Sequence, residues 1–135
     1  MHVNDIEIPE ELYYSKEHEW VKLEGKEAVV GITDYAQKQL HDIVYVEVPK
    51  VGTNITQFQT MGTVESVKST SEVFTPVTGN VIKINGELAE SPELLNQDPY
   101  GKGWLARIAP KDFNSDVKKL LTAQQYADYV KHMEK

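Results

Sequence analysis

The chain contains no cysteine, which removes disulfides, thiolate metal sites and a cysteine nucleophile together. The lack of covalent staples suits a reducing compartment. No apolar run approaches the roughly 20 residues that a membrane span requires, so no membrane partner is expected. The four histidines, His2, His18, His41 and His132, are scattered and include no metal-ligand pair such as His-x-x-x-His. Phosphate-binding loops are missing too, because Gly101-Lys102-Gly103 lacks the strand-to-helix setting they need. Serines are plentiful, yet none lies in a Gly-x-Ser-x-Gly elbow. Positive charge is scarce: 14 Lys and Arg stand against 21 Asp and Glu, for a net charge of −7. Such a surface repels phosphate backbones, so nucleic acid is not an expected partner. Proteins with basic docking faces suit it better, although soluble proteins are often acidic without such a role.

The first residues, MHVNDIEIPEELYY, have neither the basic-then-apolar order of a secretory signal nor an arginine-rich transit pattern. A cytoplasmic location is expected; a mature organellar protein with its presequence removed would read the same. What the chain does have is 40% hydrophobic residues over 135 positions, enough for the core of one domain. Residues 1–12 show little periodicity and read as an N-terminal arm. Residues 13–110 read as a β body, with short strands at 20–23, 27–33, 43–48, 61–67, 72–75, 80–84 and 104–108, separated by Gly, Pro, Asn and Asp. In the third of these, Val44, Val46 and Val48 alternate with Ile43, Tyr45 and Glu47, which predicts two distinct faces. Many short strands at near-regular spacing indicate a sandwich or barrel.

Helical signals are few. Thr33 or Asp34 can cap a short helix ending at Leu40. Ser91-Pro92-Glu93-Leu94-Leu95 places proline at a first helical position, where its missing N–H costs nothing. From Ser115 to residue 133 a C-terminal helical region is predicted. Its Thr122-x-x-Gln125 resembles a capping box, and Tyr126, Tyr129, Val130 and Met133 recur at helical spacing. That stripe is expected to pack on the β body; a partner-binding stripe is the alternative.

Between Met61 and Phe74, two β segments flank the small polar residues of Glu65-Ser66-Val67-Lys68-Ser69-Thr70-Ser71. This reads as a hairpin with Lys68 at or near its tip. Position alone makes Lys68 an ordinary solubility residue. The surrounding spacing says more: Gly52, Ile55, Met61 and Val64 before it, and Val73, Gly79 and Val81 after it, match the signature around the modified lysine of lipoyl-bearing domains. Beyond that span the chain resembles the glycine cleavage system H-protein family along nearly its whole length. The resemblance is carried by Tyr14-Ser-Lys-Glu-His-Glu-Trp20, Val30-Gly-Ile-Thr33 with Ala36-Gln37, and Asp42-Ile-Val-Tyr-Val46. It continues through Val64-Glu-Ser-Val-Lys68, Pro76-Val-Thr-Gly79, Ser91-Pro-Glu-Leu94 and Pro99-Tyr-Gly-Lys-Gly-Trp104.

The resemblance implies a mainly β fold, the lipoyl-domain barrel-sandwich hybrid of short antiparallel strands, here as a single domain over 1–135. It also implies a carrier and not an enzyme, with lipoic acid in amide linkage on Lys68. The carrier would take an aminomethyl group from a pyridoxal-phosphate glycine decarboxylase and pass it to a tetrahydrofolate-dependent aminomethyltransferase. It would then pass dithiol electrons to an FAD-containing dihydrolipoamide dehydrogenase. Lipoylating enzymes would recognise the Glu65, Ser66 and Val67 side of the lysine, Glu65 above all; the alternative for Glu65 is a surface ion pair of at most about 1 kcal/mol. A monomer is expected. His18, Glu19 and Trp20 are candidates for bordering the carrier's cleft, with a core position the alternative for Trp20. Pro99-Tyr100-Gly101 with Trp104 reads as a structural turn.

Two residues depart from the family pattern. His41 stands where glycine is usual, at what looks like a left-handed helix C-cap, so a positive φ is predicted there. Gln57-Phe58 occupies a turn where a glycine is common, and Phe58 either plugs the core or lies exposed. Among rivals, a biotin carrier typically flanks its lysine with methionines, whereas Val67 and Ser69 stand here. An H-like lipoyl carrier serving a lipoyl relay or sulfur metabolism is the alternative that sequence leaves open.

Overall fold

The computed structural model describes residues 1–133. Five strands come first: β1 (His2–Val3), β2 (Ile6–Glu7), β3 (Tyr13–Tyr14), β4 (Glu19–Glu24) and β5 (Glu27–Ile32). Helix α1 (Asp34–Leu40) leads to β6 (Ile43–Glu47), β7 (Asn54–Ile55), β8 (Thr60–Ser66), β9 (Thr70–Phe74) and β10 (Gly79–Ile84). A 3-10 turn (Gly86–Ala89) and α2 (Leu94–Gln97) precede β11 (Ala106–Pro110), and α3 (Phe113–Val117) and α4 (Ala123–Met133) end the described chain.

The strands form a six-stranded sheet in the order β3-β4-β5-β11-β10-β7 and a three-stranded sheet in the order β6-β8-β9, with β1 and β2 as a separate hairpin. Val21 and Val30 of the first sheet and Val46, Val64 and Val73 of the second belong to one buried apolar cluster, so the two sheets share a core. Neither sheet closes on itself, and the architecture is the barrel-sandwich hybrid that the resemblance implied.

Strand β5 shows why simple alternation is a poor guide here. Five of its six residues are buried. Ala28, Val30 and Ile32 face the inter-sheet core, while Val29 joins a second cluster with Trp20, Tyr14, Tyr126 and Val130. A sheet covered on both faces reads as a continuous apolar run. The second cover is built by α4 and by the N-terminal arm, which is more ordered than its weak periodicity implied. Val3, Ile6, Ile8 and Leu12 are all buried in that cluster. Met1 and Ile8 close the arm by a reciprocal pair of hydrogen bonds, at 3.0 Å from the Met1 amino group and 2.8 Å from the Ile8 N–H.

The helix expectations hold in part. Thr33 caps α1, accepting from the Ala36 N–H at 3.2 Å. Thr122 and Gln125 form the reciprocal capping box, at 3.0 and 3.2 Å. Tyr126 and Val130 of the stripe are buried and Met133 is exposed, so the stripe packs on the body. The predicted C-terminal region divides into two helices, and the first starts at Phe113 because Asp112 caps it, accepting from the Ser115 N–H. The segment after Ser91 begins as tight i→i−3 turns, from Leu94 to Ser91 and from Leu95 to Pro92, and becomes α-helical only at Leu94. The last strand also lies two residues later than expected, starting at Ala106 instead of Trp104.

The largest correction falls on β6. Its buried residues are Ile43 and Val46, while Val44, Tyr45 and Glu47 face outward. The ladder to β8 shifts register between Ile43 and Tyr45. A bulge inserts an extra residue there, so the two-residue period breaks and Val44 and Tyr45 both point away from the core.

Gly79 explains part of the sequence signature. A Cβ at this position would lie 2.1 Å from the Ala109 carbonyl oxygen on β11 and 2.8 Å from Ile108 Cγ2. Gly79→Ala therefore forces a paired strand apart. It is expected to cost about 1–3 kcal/mol or more, read as a lower urea midpoint.

Candidate functional site

Strands β8 and β9 form the hairpin predicted from the sequence, with Glu65 opposite Thr70 as the last ladder pair. The Ser66 N–H donates to the Ser69 carbonyl at 2.8 Å, closing the turn. The Ser66 hydroxyl pins it further: it accepts from the N–H groups of Lys68 and Ser69 at 3.2 and 3.1 Å, and donates to the Ser69 carbonyl. A serine oxygen bonding successive downstream amides is a turn-forming device. The Val67 N–H donates to the Asp42 carbonyl at 3.0 Å, tying the turn to the start of β6. The backbone carrying Lys68 is thus held from two sides, while the side chain is exposed and, among the described residues, makes no hydrogen bond or ion pair.

Glu65 lies half-buried on the outer face, between Tyr45 and Thr70 in the cross-strand register. The ion pairs found among the described residues join Lys22, Lys38 and Arg107 to other carboxylates. None involves Glu65, so the ion-pair alternative for that residue has no support.

At the other end of β9 an open cleft of about 470 Å³ is lined by Ser15, Lys16, Glu17, Phe58, Phe74 and Lys119. Phe58 is 45% exposed, and so it walls the cleft instead of plugging the core. Its φ of 71° is the conformation for which glycine is the usual choice. The turn is held there because the Phe58 N–H donates to Thr75, and because Gln57 bonds Thr78, Pro76 and Asp116.

Directly behind the cleft lining is Glu19. Its side chain is buried, accepts from the Phe74 N–H at 3.1 Å, and accepts from the Ser15 hydroxyl. Burial raises its pKa to about 7, against the two hydrogen bonds, which favour the carboxylate. Neighbouring His18 moves the other way, lowered to about 4 by burial. Its ring contacts Tyr35 and Tyr129, and Nδ1 lies 2.8 Å from the Tyr126 hydroxyl. No imidazole therefore pairs with the Ser15 hydroxyl as a base would in a nucleophilic serine site. Trp20 does not border the cleft: it is 2% exposed, and its indole N–H donates to the Pro99 carbonyl at 3.0 Å. Pro99-Tyr100-Gly101 is the structural turn expected, with the Tyr100 hydroxyl donating to Glu7 and accepting from the Asp34 N–H.

His41 has the predicted positive φ, 64°, but its ψ of −146° is not left-handed helical. The next residues explain the difference. Asn96 donates to the His41 carbonyl at 2.8 Å and accepts from the Ile43 N–H at 3.0 Å, pulling the chain into β6 immediately after the helix.

A lipoyl group fits these residues. It needs an unpartnered lysine on a rigid, solvent-facing turn, and its amphipathic arm suits a cleft with two phenylalanines among polar side chains. The signature glycines and valines act as scaffold, whereas Glu19, read from the sequence as bordering the cleft, lies buried behind its lining between Ser15 and Phe74.

Comparison with known proteins bears on the same residues. The family model described as Glycine cleavage H-protein matches residues 12–133. A protein named "Probable glycine cleavage system H protein" from Pyrococcus horikoshii is 49% identical, with 96% of each chain covered. The "Glycine cleavage system H protein" of Geobacillus thermodenitrificans is 52% identical, over 93% of this chain and 98% of its own. The crystal structure of a glycine cleavage system H protein from Mycobacterium marinum superposes with a TM-score of 0.82 at 35% identity, covering 90% of this chain and 97% of the other.

Proposed function

From the chain's membership of the glycine cleavage H-protein family, we propose that Lys68 is the covalent attachment point of lipoic acid and that the chain shuttles the aminomethyl group of glycine between enzymes. The family is a non-catalytic, lipoyl-bearing component of the glycine cleavage system, so the chain works with that system's other components. The finer assignment names them: glycine decarboxylase as donor, the folate-dependent aminomethyltransferase as acceptor, and dihydrolipoamide dehydrogenase as the acceptor of dithiol electrons. The observation that carries the reading is the free side chain of Lys68 on a turn whose backbone is fixed by Ser66 and Asp42.

Lipoate, once bound, supplies a ring-strained disulfide that opens more readily than a relaxed one. The chain's own residues do the rest. Amide formation removes the lysine charge, leaving an arm able to enter apolar surroundings. The rigid turn keeps that arm at a high local concentration for any enzyme that docks. The walls Phe58 and Phe74 offer the arm a place on the body between transfers. Behind them, the Glu19 carboxyl can hold or release a proton near neutrality.

The test is reconstitution. Lipoylated protein, mixed with the three enzymes, glycine, tetrahydrofolate and a nicotinamide oxidant to take the dithiol electrons, is expected to support glycine-dependent release of carbon dioxide and ammonia; unlipoylated protein is not. A fully lipoylated chain that supports neither product assigns the carrier to another pathway.

A further inference from the structure

The bulge in β6 leaves a feature that the carrier reading does not use. Val44 is 54% exposed and Tyr45 is 52% exposed, side by side on the outer strand of the three-stranded sheet. Val67, 65% exposed, lies on the turn whose backbone is bonded to the Asp42 carbonyl, two residues before Val44. The register places Tyr45 directly opposite Glu65, and Ile43 opposite Ser66, so the bulge lies level with the turn that carries Lys68. A regular strand would have turned Val44 into the core; the bulge instead commits two large apolar side chains to solvent. Exposed apolar residues on an outer strand invite unwanted pairing, and contiguous ones mark contact surfaces.

We propose that Val44 and Tyr45 extend the Val67 side of the turn, which the resemblance already assigns to recognition, into a docking ledge for the enzyme that acylates Lys68. This rests on the reading of Lys68 as the attachment point, and it goes further by naming the surface that such an enzyme covers. The geometry makes contact hard to avoid. An enzyme that takes Lys68 Nζ into its active site must bring its own surface against the turn, and the ledge is the apolar ground beside that turn. The amide forms as Nζ displaces the leaving group of an activated lipoate and loses protons. Nothing in that step needs the ledge, so its contribution is to binding. The carboxylates of Asp42 and Glu65 flank it, and Glu65 takes part in no ion pair among the described residues. The occupant is therefore an acyl-transferring enzyme with an apolar face and a basic group beside it. Apolar anchors at the centre of a small interface carry most of its affinity.

The experiment follows lipoylation of the full chain by intact mass, with a lipoate ligase, lipoate and ATP, across protein concentrations. The V44S/Y45S double variant is expected to raise the KM for the carrier about tenfold, with kcat little changed. Leu23→Ser, an exposed apolar residue on the six-stranded sheet, is expected to behave as wild type. An unchanged KM in the double variant overturns the proposal. So does a wild-type dimer that dissolves in the double variant while lipoylation kinetics stay the same, since the ledge would then belong to a second copy of the chain. Should the double variant melt early, Val44→Ser alone, read the same way, decides. If wild type itself is not modified at Lys68, the attachment reading fails first and the ledge falls with it.

Discussion

Lys68→Ala is expected to abolish lipoylation: under conditions in which wild type gains the mass of one lipoyl group, the variant's intact mass stays unchanged. The expectation is all-or-none because the turn presents one lysine. Other surface lysines exist, and Lys26 lies on the β4–β5 hairpin turn as well, but only Lys68 stands inside the Gly52-to-Val81 spacing, while Lys22 and Lys38 are engaged by carboxylates. A modification that survives in Lys68→Ala, mapped to any other lysine, sinks the assignment. Stability supplies a second readout. A side chain that is exposed and unpartnered contributes little to folding, so the variant should unfold within about 0.5 kcal/mol of wild type. Loss of modification with unchanged stability is the signature of an attachment point. Ser66, whose hydroxyl makes three bonds within the turn, is by contrast expected to lower stability when replaced by alanine.

The contrast between Lys68 and its surroundings shows what sequence can and cannot convey. Lys68 stands out through the spacing of scaffold residues around it. Gly79 is required by a backbone oxygen that a Cβ would strike, and Val64, Val73 and Val81 fill the shared core. Scaffold constraints of this kind repeat at fixed intervals along the chain, and so they can be read from it. The outward turn of Val44 could not be, since a bulge is a property of two strands in register and the period-two rule sees only one. The arm's burial was hidden for the same reason. Val3, Ile6 and Ile8 gain their apolar neighbours from distant elements, with α4 against β1 and α1 against β2. Capping residues fared better: Thr33 and Thr122 act on amides within three positions, a distance over which sequence is the structure.

The pair His18 and Glu19 is legible in sequence as bordering a cleft but not as buried, and it leads to the second large effect. Each has lost solvent, and desolvation disfavours the charged form of both. For His18 the folded pKa of about 4 lies below the ordinary value of 6.5. The unfolded chain then binds the proton more readily, and stability falls as pH drops from 6.5 towards 4. For Glu19 the folded value of about 7 lies above the ordinary value of 4.5. Here the folded chain binds the proton more readily, so the contribution is complete below about 4.5 and is lost as pH rises through 7. Between pH 4.5 and 6.5 the two slopes oppose each other, each at about 1.4 kcal/mol per pH unit. Wild type should therefore show little net dependence from this pair in that window. Glu19→Gln imitates the protonated acid, with its carbonyl still facing the Phe74 N–H and its amide facing Ser15. With the Glu19 slope removed, the variant is expected to lose about 2–3 kcal/mol relative to wild type between pH 6.5 and 4.5. His18→Asn, which tolerates the positive φ of 74° at that position, should show the opposite trend, gaining on wild type as the solution is acidified. Urea unfolding of the three proteins at pH 4.5, 5.5 and 6.5 measures both differences, and subtracting the wild-type curve cancels the carboxylates they have in common. Parallel curves for all three would mean that neither group titrates differently in the folded state. Opposite slopes for the two variants would establish that the body behind the cleft holds one neutral imidazole and one carboxyl poised near neutrality.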